Sequence, residues 1–335
     1  MENDIYAGGA EAQQLLHQKY MRRCLQLARN GLRNAKPNPM VGAVIVARDG
    51  RIIGEGYHVR HGEGHAEVNA FADVRPEDES LLGESTIYVS LEPCSHHGKT
   101  PPCADLIIHK GVRRCVCGCV DPFSQVQGRG IRRLRDAGIE VIVGILEAEC
   151  LAINRRFITF NLHQRPYILL KWAQTADGFI SHDGQPLAIS TAFTKMLVHK
   201  LRTEYDAILI GRNTLDIDHP RLNVREWAGP SPERIVLSHR PTSVPNGFLC
   251  LTSIDDVLHY LYHARKQSLI VEGGTNVLQQ FIDRGLWDEI RIETSPITIS
   301  EGIKAPQLPT TSHLVAQETY DGNTISRYVA EKTLF

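Results

Sequence analysis

The chain has 335 residues, with 37 Lys and Arg against 38 Asp and Glu, a formal net charge of -1, and 42% apolar and 22% charged residues. That length exceeds what one core usually supports and predicts two domains of about 150 residues each. The composition is that of a folded globular protein, and the even charge balance lacks the basic excess that draws a protein to a phosphate backbone, so disorder and nucleic-acid binding are disfavoured.

No apolar run reaches bilayer length, and the N-terminal MENDIYAGGAEAQQ is acidic and small rather than basic and then apolar, which predicts a cytoplasmic protein without membrane contact. Eight cysteines in a chain this long are too few and too unevenly placed for a secreted disulfide scaffold, leaving reduced thiols or metal ligands.

In chain order, residues 1–14 lack periodicity and read as a tail, after which Tyr20, Met21, Cys24, Leu25 and Ala28 recur at helical spacing. Lys36-Pro37-Asn38-Pro39 ends that helix; Val41–Ala47 reads as a buried strand turning through Asp49-Gly50 into Ile52-Ile53. A helix over 65–74, a strand over Thr86–Leu91 and a short helix over Ala104–Lys110 stopped by Gly111 follow. Strands over Val112–Val120 and Glu140–Ile145 flank a helix containing Ile131 and Leu134 that ends at Gly138, an alternation expected of α/β layers. Regularity fades over residues 150–166, and Arg165-Pro166 opens a second strand-rich half, so the domain boundary is placed near 162. The second half alternates again, with strands near 167–173, 206–210, 233–237, 268–272 and 288–293. Its helices carry apolar stripes suited to a sheet face, such as Phe193, Met196, Leu197 and Leu201, or Val277, Leu278, Phe281 and Ile282.

The chemistry concentrates in Gly64-His65-Ala66-Glu67, Glu92-Pro93-Cys94 and Cys103. One imidazole and two thiolates are borderline-soft ligands that suit zinc, and three protein ligands leave a fourth tetrahedral position for water, whose pKa falls from about 15.7 toward about 7 on zinc. Glu67, two residues from His65 on the first helical turn, can reach that water without being a ligand and carry its proton to a leaving amine. Cys103 follows Thr100-Pro101-Pro102 and starts a helix, whose positive end favours a thiolate. His61-Gly62-Glu63 also reads His-x-Glu, but its flanking glycines mark a loop. Cys115, Cys117 and Cys119 alternate along a strand and read as small buried residues rather than a second metal site.

The zinc-deaminase signature has two residues between its cysteines, whereas here Ser95 through Pro102 intervene. With the string Glu-Pro-Cys-Ser-His-His-Gly-Lys-Thr-Pro-Pro-Cys at 92–103, Pro37-Asn38-Pro39-Met40-Val41-Gly42 and Gly128-Arg129-Gly130-Ile131, the chain resembles the bifunctional deaminase/reductases of riboflavin biosynthesis over nearly its whole length. The resemblance implies an N-terminal cytidine-deaminase-like α/β/α domain over 1–162 and a C-terminal dihydrofolate-reductase-like α/β domain over 163–335. It implies hydrolysis of the 2-amino group of 2,5-diamino-6-(5-phosphoribosylamino)pyrimidin-4-one, followed by NADPH-dependent reduction of the ribosyl group to ribityl. Asn38 would contact the pyrimidine, and His97 and Lys99 are further contact candidates in the insert.

In the second half, Val271-Glu272-Gly273-Gly274-Thr275 joins a strand to a helix and offers bare amides to a pyrophosphate, and Leu209-Ile210-Gly211-Arg212-Asn213-Thr214 makes a similar junction. With Lys171, Asp177-Gly178 and the run from Asp218 to Arg225, these resemble the family's reductase half. Carried over, Thr214, Asp218, Gly273, Gly274, Thr275, Asn276 and Val277 would belong to NADPH, and Arg202, Leu222, Arg225 and Glu272 to the substrate. Lys171 and Glu272 are ionisable groups in apolar strands, a placement that is costly without a task; one of them would supply a proton, and Lys171 is the catalytic candidate. The chain departs from the family where a serine and a tryptophan usually precede the Ile-Ser-Thr turn: here the stretch is Gln185-Pro186-Leu187-Ala188-Ile189-Ser190-Thr191.

Two competing readings remain at this level. One is a nucleoside, nucleotide or tRNA deaminase whose C-terminal half only binds or dimerises; the other is a binding module with structural zinc, against which the three-ligand site beside Glu67 weighs. The partners expected are a small phosphoribosylaminopyrimidine and further copies of the chain in a dimer or tetramer, with no nucleic acid and no membrane.

Overall fold

The first element of the computed structural model is a helix, α1 (Ala10–Arg29), that buries Tyr20, Met21, Cys24, Leu25 and Ala28 at the expected spacing. The structure describes residues 5, 9–95, 101–122, 127–182, 185–240 and 244–331, without the side chains of 185 and 186. Because α1 begins at Ala10, residues 10–14 are helical rather than an aperiodic tail. Their side chains, Glu11 and Gln14 among them, lie largely in solvent, so no apolar period marks them. The chain divides into two compact units, Met1–Leu162 and His163–Leu334.

In the first unit, β1 (Gly42–Val46) and β2 (Ile52–Tyr57) form the hairpin, turning at Gly50 with φ 90°. Then come α2 (Ala66–Ala72), a 3-10 turn over Pro76–Glu84, β3 (Thr86–Val89), α3 (Cys103–Lys110), β4 (Arg114–Cys117), α4 (Arg129–Asp136) and β5 (Glu140–Val143). The sheet order is β2-β1-β3-β4-β5, with β3, β4 and β5 parallel. Strand alternation sends Ala43 and Ile45 into one apolar layer with Ala66, Ala70, Ile107 and Leu134, while Val44 and Val46 enter the other with Tyr20, Met21 and Cys150. Helices therefore cover both faces, and each fully buried Val or Ile contributes about 1.5–3 kcal/mol of transfer free energy.

Strand β4 is shorter than the apolar run from Val112 to Val120 suggests. Cys115 and Cys117 share a face, with Sγ atoms 3.8 Å apart, but Cys119 lies past the strand end and packs in the opposite layer, its thiol donating to the Ser90 carbonyl at 3.5 Å. The stretch expected to be irregular holds two short helices, α5 (Glu147–Ile153) and α6 (Arg155–His163), separated by Asn154. Their buried positions are too few, Cys150 alone in α5, to leave a legible period.

The second unit contains β6 (Tyr167–Gln174), β7 (Phe179–His182), β8 (Gln185–Pro186), α7 (Ala192–Arg202), β9 (Ala207–Gly211), α8 (Arg212–Asp218), β10 (Glu233–Leu237), β11 (Phe248–Leu251), α9 (Ile254–His263) and β12 (Ser268–Val271). It closes with α10 (Thr275–Asp283), β13 (Glu289–Thr294), β14 (Ile303–Lys304), β15 (Ser312–Tyr320) and β16 (Asn323–Ala330). Its main sheet runs β11-β10-β9-β12-β6-β13-β16-β15, with every pairing parallel except the two made by β16. Strands β9 and β12 are buried at every position, which is why they read as unbroken apolar runs.

Sequence reading misses the β15–β16 hairpin, since β15 is a sheet edge exposed along most of its length and carries no alternation. The stripe expected on α7 holds in part: Met196, Leu197 and Leu201 are half-buried, with Leu201 packed on a core cluster, but the fully buried positions are Thr194, Val198 and His199, and Phe193 is 39% exposed. Thr191 caps the helix through its side-chain oxygen, which accepts from Thr194 N at 3.2 Å. The α10 stripe holds, with Leu278 and Phe281 fully buried.

Candidate metal centre and cofactor cleft

The metal centre is built on how closely α2 lies against β2. A Cβ at Gly56 would sit 2.4 Å from Ala70 N and 2.5 Å from Ala66 O, and one at Gly54 would sit 2.3 Å from Ala70 O. Only glycines let the helix rest on the strand backbone. That contact sets His65, the N-cap of α2, and Glu67 in its first turn.

His65 Nδ1 lies 3.6 Å from Cys94 Sγ and 3.3 Å from Cys103 Sγ. Zinc at about 2.0 Å from nitrogen and about 2.3 Å from sulfur, in tetrahedral geometry, places such donors about 3.5 Å apart, so the spacing and the donor set both fit the ion. Among the described residues this is the one group of three or more His, Cys, Asp or Glu whose ligand atoms all lie within 4.8 Å of each other. His61 and Glu63, the rival pair, are exposed and outside it.

Cys103 is the first residue of α3, and its backbone N–H donates to Cys94 Sγ at 3.3 Å, while Ala104 N donates to the Cys94 carbonyl at 3.1 Å. The Cys94 thiol is drawn down in pKa, first by its hydrogen bond with Cys103 and then by His65 against the effect of burial. Glu67 is 3% exposed, and burial, reinforced by the Cys94 charge, pushes its carboxyl up to about 7. Such a group exchanges a proton readily near neutrality.

Asn38 is half-buried beside this group, with Nδ2 donating to His58 Nε2 at 3.1 Å. His58 Nδ1 faces the Gly64 carbonyl at 3.1 Å, which assigns the proton to Nδ1 and leaves Nε2 as acceptor. His58 also meets the His65 ring edge-on, with centroids 5.2 Å apart. Asn154 pins the loop that carries Asn38: its Oδ1 accepts from Met40 N at 2.8 Å and its Nδ2 donates to Met40 O at 2.9 Å. Neither His58 nor Asn154 stands out in the sequence; the His58 signal is only a histidine just after an apolar strand. His97 and Lys99 lie outside the described residues.

The second unit holds a cleft of about 1360 Å³ lined by Lys171, Thr214, Asp218, Glu272 and the turn Gly273–Val277. The two strand-to-helix junctions meet at one side chain, since a Cβ at Gly211 would sit 2.8 Å from Val277 Cγ2 and one at Gly273 2.9 Å from Val277 Cβ. Thr214 Oγ1 accepts from Gly274 N at 3.1 Å, joining the junctions a second time. Arg202 stands behind Glu272, donating to Oε2 at 2.7 Å with both side chains 11% exposed.

Burial would raise the Glu272 carboxyl, but Arg202 and Lys171 together outweigh it and its pKa is lowered. Burial lowers the pKa of Lys171, with Glu272 and Glu293 opposing. Glu272 Oε1 is buried without a hydrogen-bond partner among the described residues, as is Ser181 Oγ, which also lines the cleft. Three expected substrate residues are outside the cleft lining: Arg202 behind Glu272, Leu222 buried in a core cluster at φ 53°, and Arg225, whose backbone N donates to His199 Nδ1 at 3.2 Å. The cleft also gathers Arg212, from the Leu209–Thr214 junction, and Ser238, His239 and Arg240, which follow the end of β10 but carry no motif. Of the divergent stretch, Leu187 lines the cleft, and the side chains of Gln185 and Pro186 lie outside the description.

Two family models match the chain: the cytidine and deoxycytidylate deaminase zinc-binding region over residues 15–119, and the RibD C-terminal domain over residues 166–317. Riboflavin biosynthesis protein RibD of Aquifex aeolicus is 36% identical over 327 residues, covering 88% of this chain and 90% of that one. The chain belongs to the RibD family. RibD of Actinobacillus pleuropneumoniae is 44% identical over 218 residues, which span 65% of this chain and 57% of that relative.

The solved structure of a diaminohydroxyphosphoribosylaminopyrimidine deaminase/5-amino-6-(5-phosphoribosylamino)uracil reductase from Thermotoga maritima superposes with TM-score 0.86 at 33% identity, covering 95% of this chain and 99% of that one. As a RibD-family member the protein is a bifunctional riboflavin-biosynthesis enzyme with deaminase and reductase domains, using zinc and NADPH. The reading in which the C-terminal half only binds or dimerises is displaced by the reductase-domain match.

Proposed function

We propose that residues 1–162 hydrolyse the 2-amino group of 2,5-diamino-6-(5-phosphoribosylamino)pyrimidin-4-one and that residues 163–335 reduce the ribosyl group of the product to ribityl. The observation that carries this reading is the convergence of His65, Cys94 and Cys103 beside a buried Glu67. Zinc, when bound, supplies the Lewis acidity that makes water a nucleophile at neutral pH. His65 Nδ1 and the sulfurs of Cys94 and Cys103 hold it, and Glu67 takes a proton from the attacking water and returns it to the departing nitrogen, which leaves as ammonia. Asn38, with its amide orientation set by His58, contacts the pyrimidine through the oxygen left free of that hydrogen bond.

In the second unit NADPH, when bound, supplies the reducing electron pair. Thr214, Asp218 and Gly273–Val277 would hold the cofactor, the amides at the start of α10 being suited to its pyrophosphate. Glu272 presents its unpartnered oxygen to the substrate, supported by Arg202, and Lys171 delivers the proton that accompanies reduction. Leu222 and Arg225, in the segment between α8 and β10, belong to the substrate side of the same site.

The chain works in the cytoplasm as a homo-oligomer. Supporting this are thiol ligands suited to a reducing compartment, the absence among the described residues of a helix long and apolar enough to cross a membrane, and Leu314 and Val315, 53% and 47% exposed on the edge strand β15. The test is to mix protein, pyrimidine substrate and NADPH and follow ammonia and NADPH together. Ammonia release with no NADPH oxidation would reduce the protein to a deaminase.

A further inference from the structure

Helix α4 starts without a cap of its own: its N-cap is Gly128, at φ 73°, with no side chain to accept from the first free amides. The acceptor comes instead from Glu92, a carboxylate only 4% exposed. Its Oε1 accepts from Gly130 N at 2.8 Å and Ile131 N at 3.3 Å, and its Oε2 from Gly128 N at 2.9 Å and Asp121 N at 3.2 Å. Four backbone donors satisfy a buried charge that would otherwise be costly.

The same helix presses on the next residue. A Cβ at Gly130 would lie 2.0 Å from the Pro93 carbonyl oxygen, so α4 and Pro93 touch backbone to backbone. Glu92 N donates in addition to Cys119 O at 3.0 Å. The segment is thus clamped at its side chain, its amide and the following carbonyl, and the residue that emerges from the clamp is Cys94. On its far side Cys94 is held by the start of α3, through Cys103 N on Sγ and Ala104 N on its carbonyl.

We infer that Glu92 is a positioning residue for the metal centre: its carboxylate, locked onto the first amides of α4, fixes the backbone from which Cys94 reaches the metal. This rests on Cys94 being a ligand, as proposed above. Capping α4 is the means, and the placement of one sulfur is the consequence. Glu92→Gln keeps the volume but turns one hydrogen-bond acceptor into a donor facing backbone N–H groups, so the clamp opens on one side.

The experiment uses the full-length protein loaded with Co2+ in place of zinc, read by its thiolate charge-transfer and ligand-field absorption and by chelator competition for the ion. Glu92→Gln is expected to shift the ligand-field bands and weaken metal retention about 10- to 100-fold, the usual effect of removing a partner that orients a ligand. Glu92→Asp, which keeps the charge one methylene further back, is expected to fall between the two and serves if the glutamine variant does not accumulate. Leu134→Ala, which removes a fully buried α4 side chain and leaves Glu92 in place, is expected to lower the melting temperature with wild-type bands.

Wild-type bands and retention in Glu92→Gln or Glu92→Asp would overturn the inference, as would an equal loss of retention in Leu134→Ala. Cys94→Ser separates the two readings: if it leaves the charge-transfer band intact, the ligand assignment itself fails, whatever Glu92 does.

Discussion

Replacing Gly56 by alanine tests whether the seating of α2 on β2 sets the deaminase geometry. The added Cβ would stand 2.4 Å from Ala70 N and 2.5 Å from Ala66 O, about 1 Å inside ordinary contact. Both obstacles are helix backbone and cannot swing aside as a side chain can, so α2 must retreat by roughly that distance or the strand must bow. Overpacking of this kind costs about 1–3 kcal/mol of stability. The larger effect falls on catalysis, because α2 carries His65 at its N-cap and Glu67 in its first turn. A displacement of about 1 Å at reacting groups lowers rates on the order of 100-fold. Ammonia release at saturating substrate is the assay, with NADPH oxidation on pre-deaminated substrate as an internal control from the other unit. A Gly56→Ala protein that releases ammonia at the wild-type rate would refute the claim that this glycine holds the helix in register with the ligands.

Glu67→Gln is expected to retain zinc by elemental analysis while ammonia release falls about 10²- to 10⁴-fold, the usual worth of a general acid–base group; unchanged release would remove the proton-shuttle role. Cys94→Ser is expected to lose metal on chelator challenge, seen as a fall in bound zinc. Stripping zinc from the wild type is expected to stop ammonia release and spare NADPH oxidation on pre-deaminated substrate, so loss of both would contradict the assignment of the two activities to separate units. Lys171→Met is expected to abolish NADPH oxidation with ammonia release intact, whereas oxidation at the wild-type rate would leave the proton to another group.

The clustering of His65, Cys94 and Cys103 was legible in sequence because zinc chemistry calls for rare residue types at fixed places: His65 and Glu67 lie two apart at a helix start, and Cys103 opens the next helix after two prolines. The parallel strands β9 and β12 were legible because burial on both faces leaves an unbroken apolar run. What escaped depends on partners distant in the chain. Asn154 pins Met40 across 114 residues, and nothing local to either announces it. Strand β15 is an exposed edge with a polar-rich surface, so it lacks the period that betrays a strand. On α7 the apolar residues mark the buried face only in part, because Thr194 and His199 are buried beside Val198 while Phe193 is exposed.

The meeting of Gly211 and Gly273 on Val277 makes one isopropyl group the spacer between two loop tips. The closest approach of the two glycines is therefore bounded by the volume of that group, with the Thr214–Gly274 hydrogen bond as a second tie. Lengthening that side chain would press on both tips at once, and shortening it would open space between them, so a change at this one position in α10 is felt by both loops.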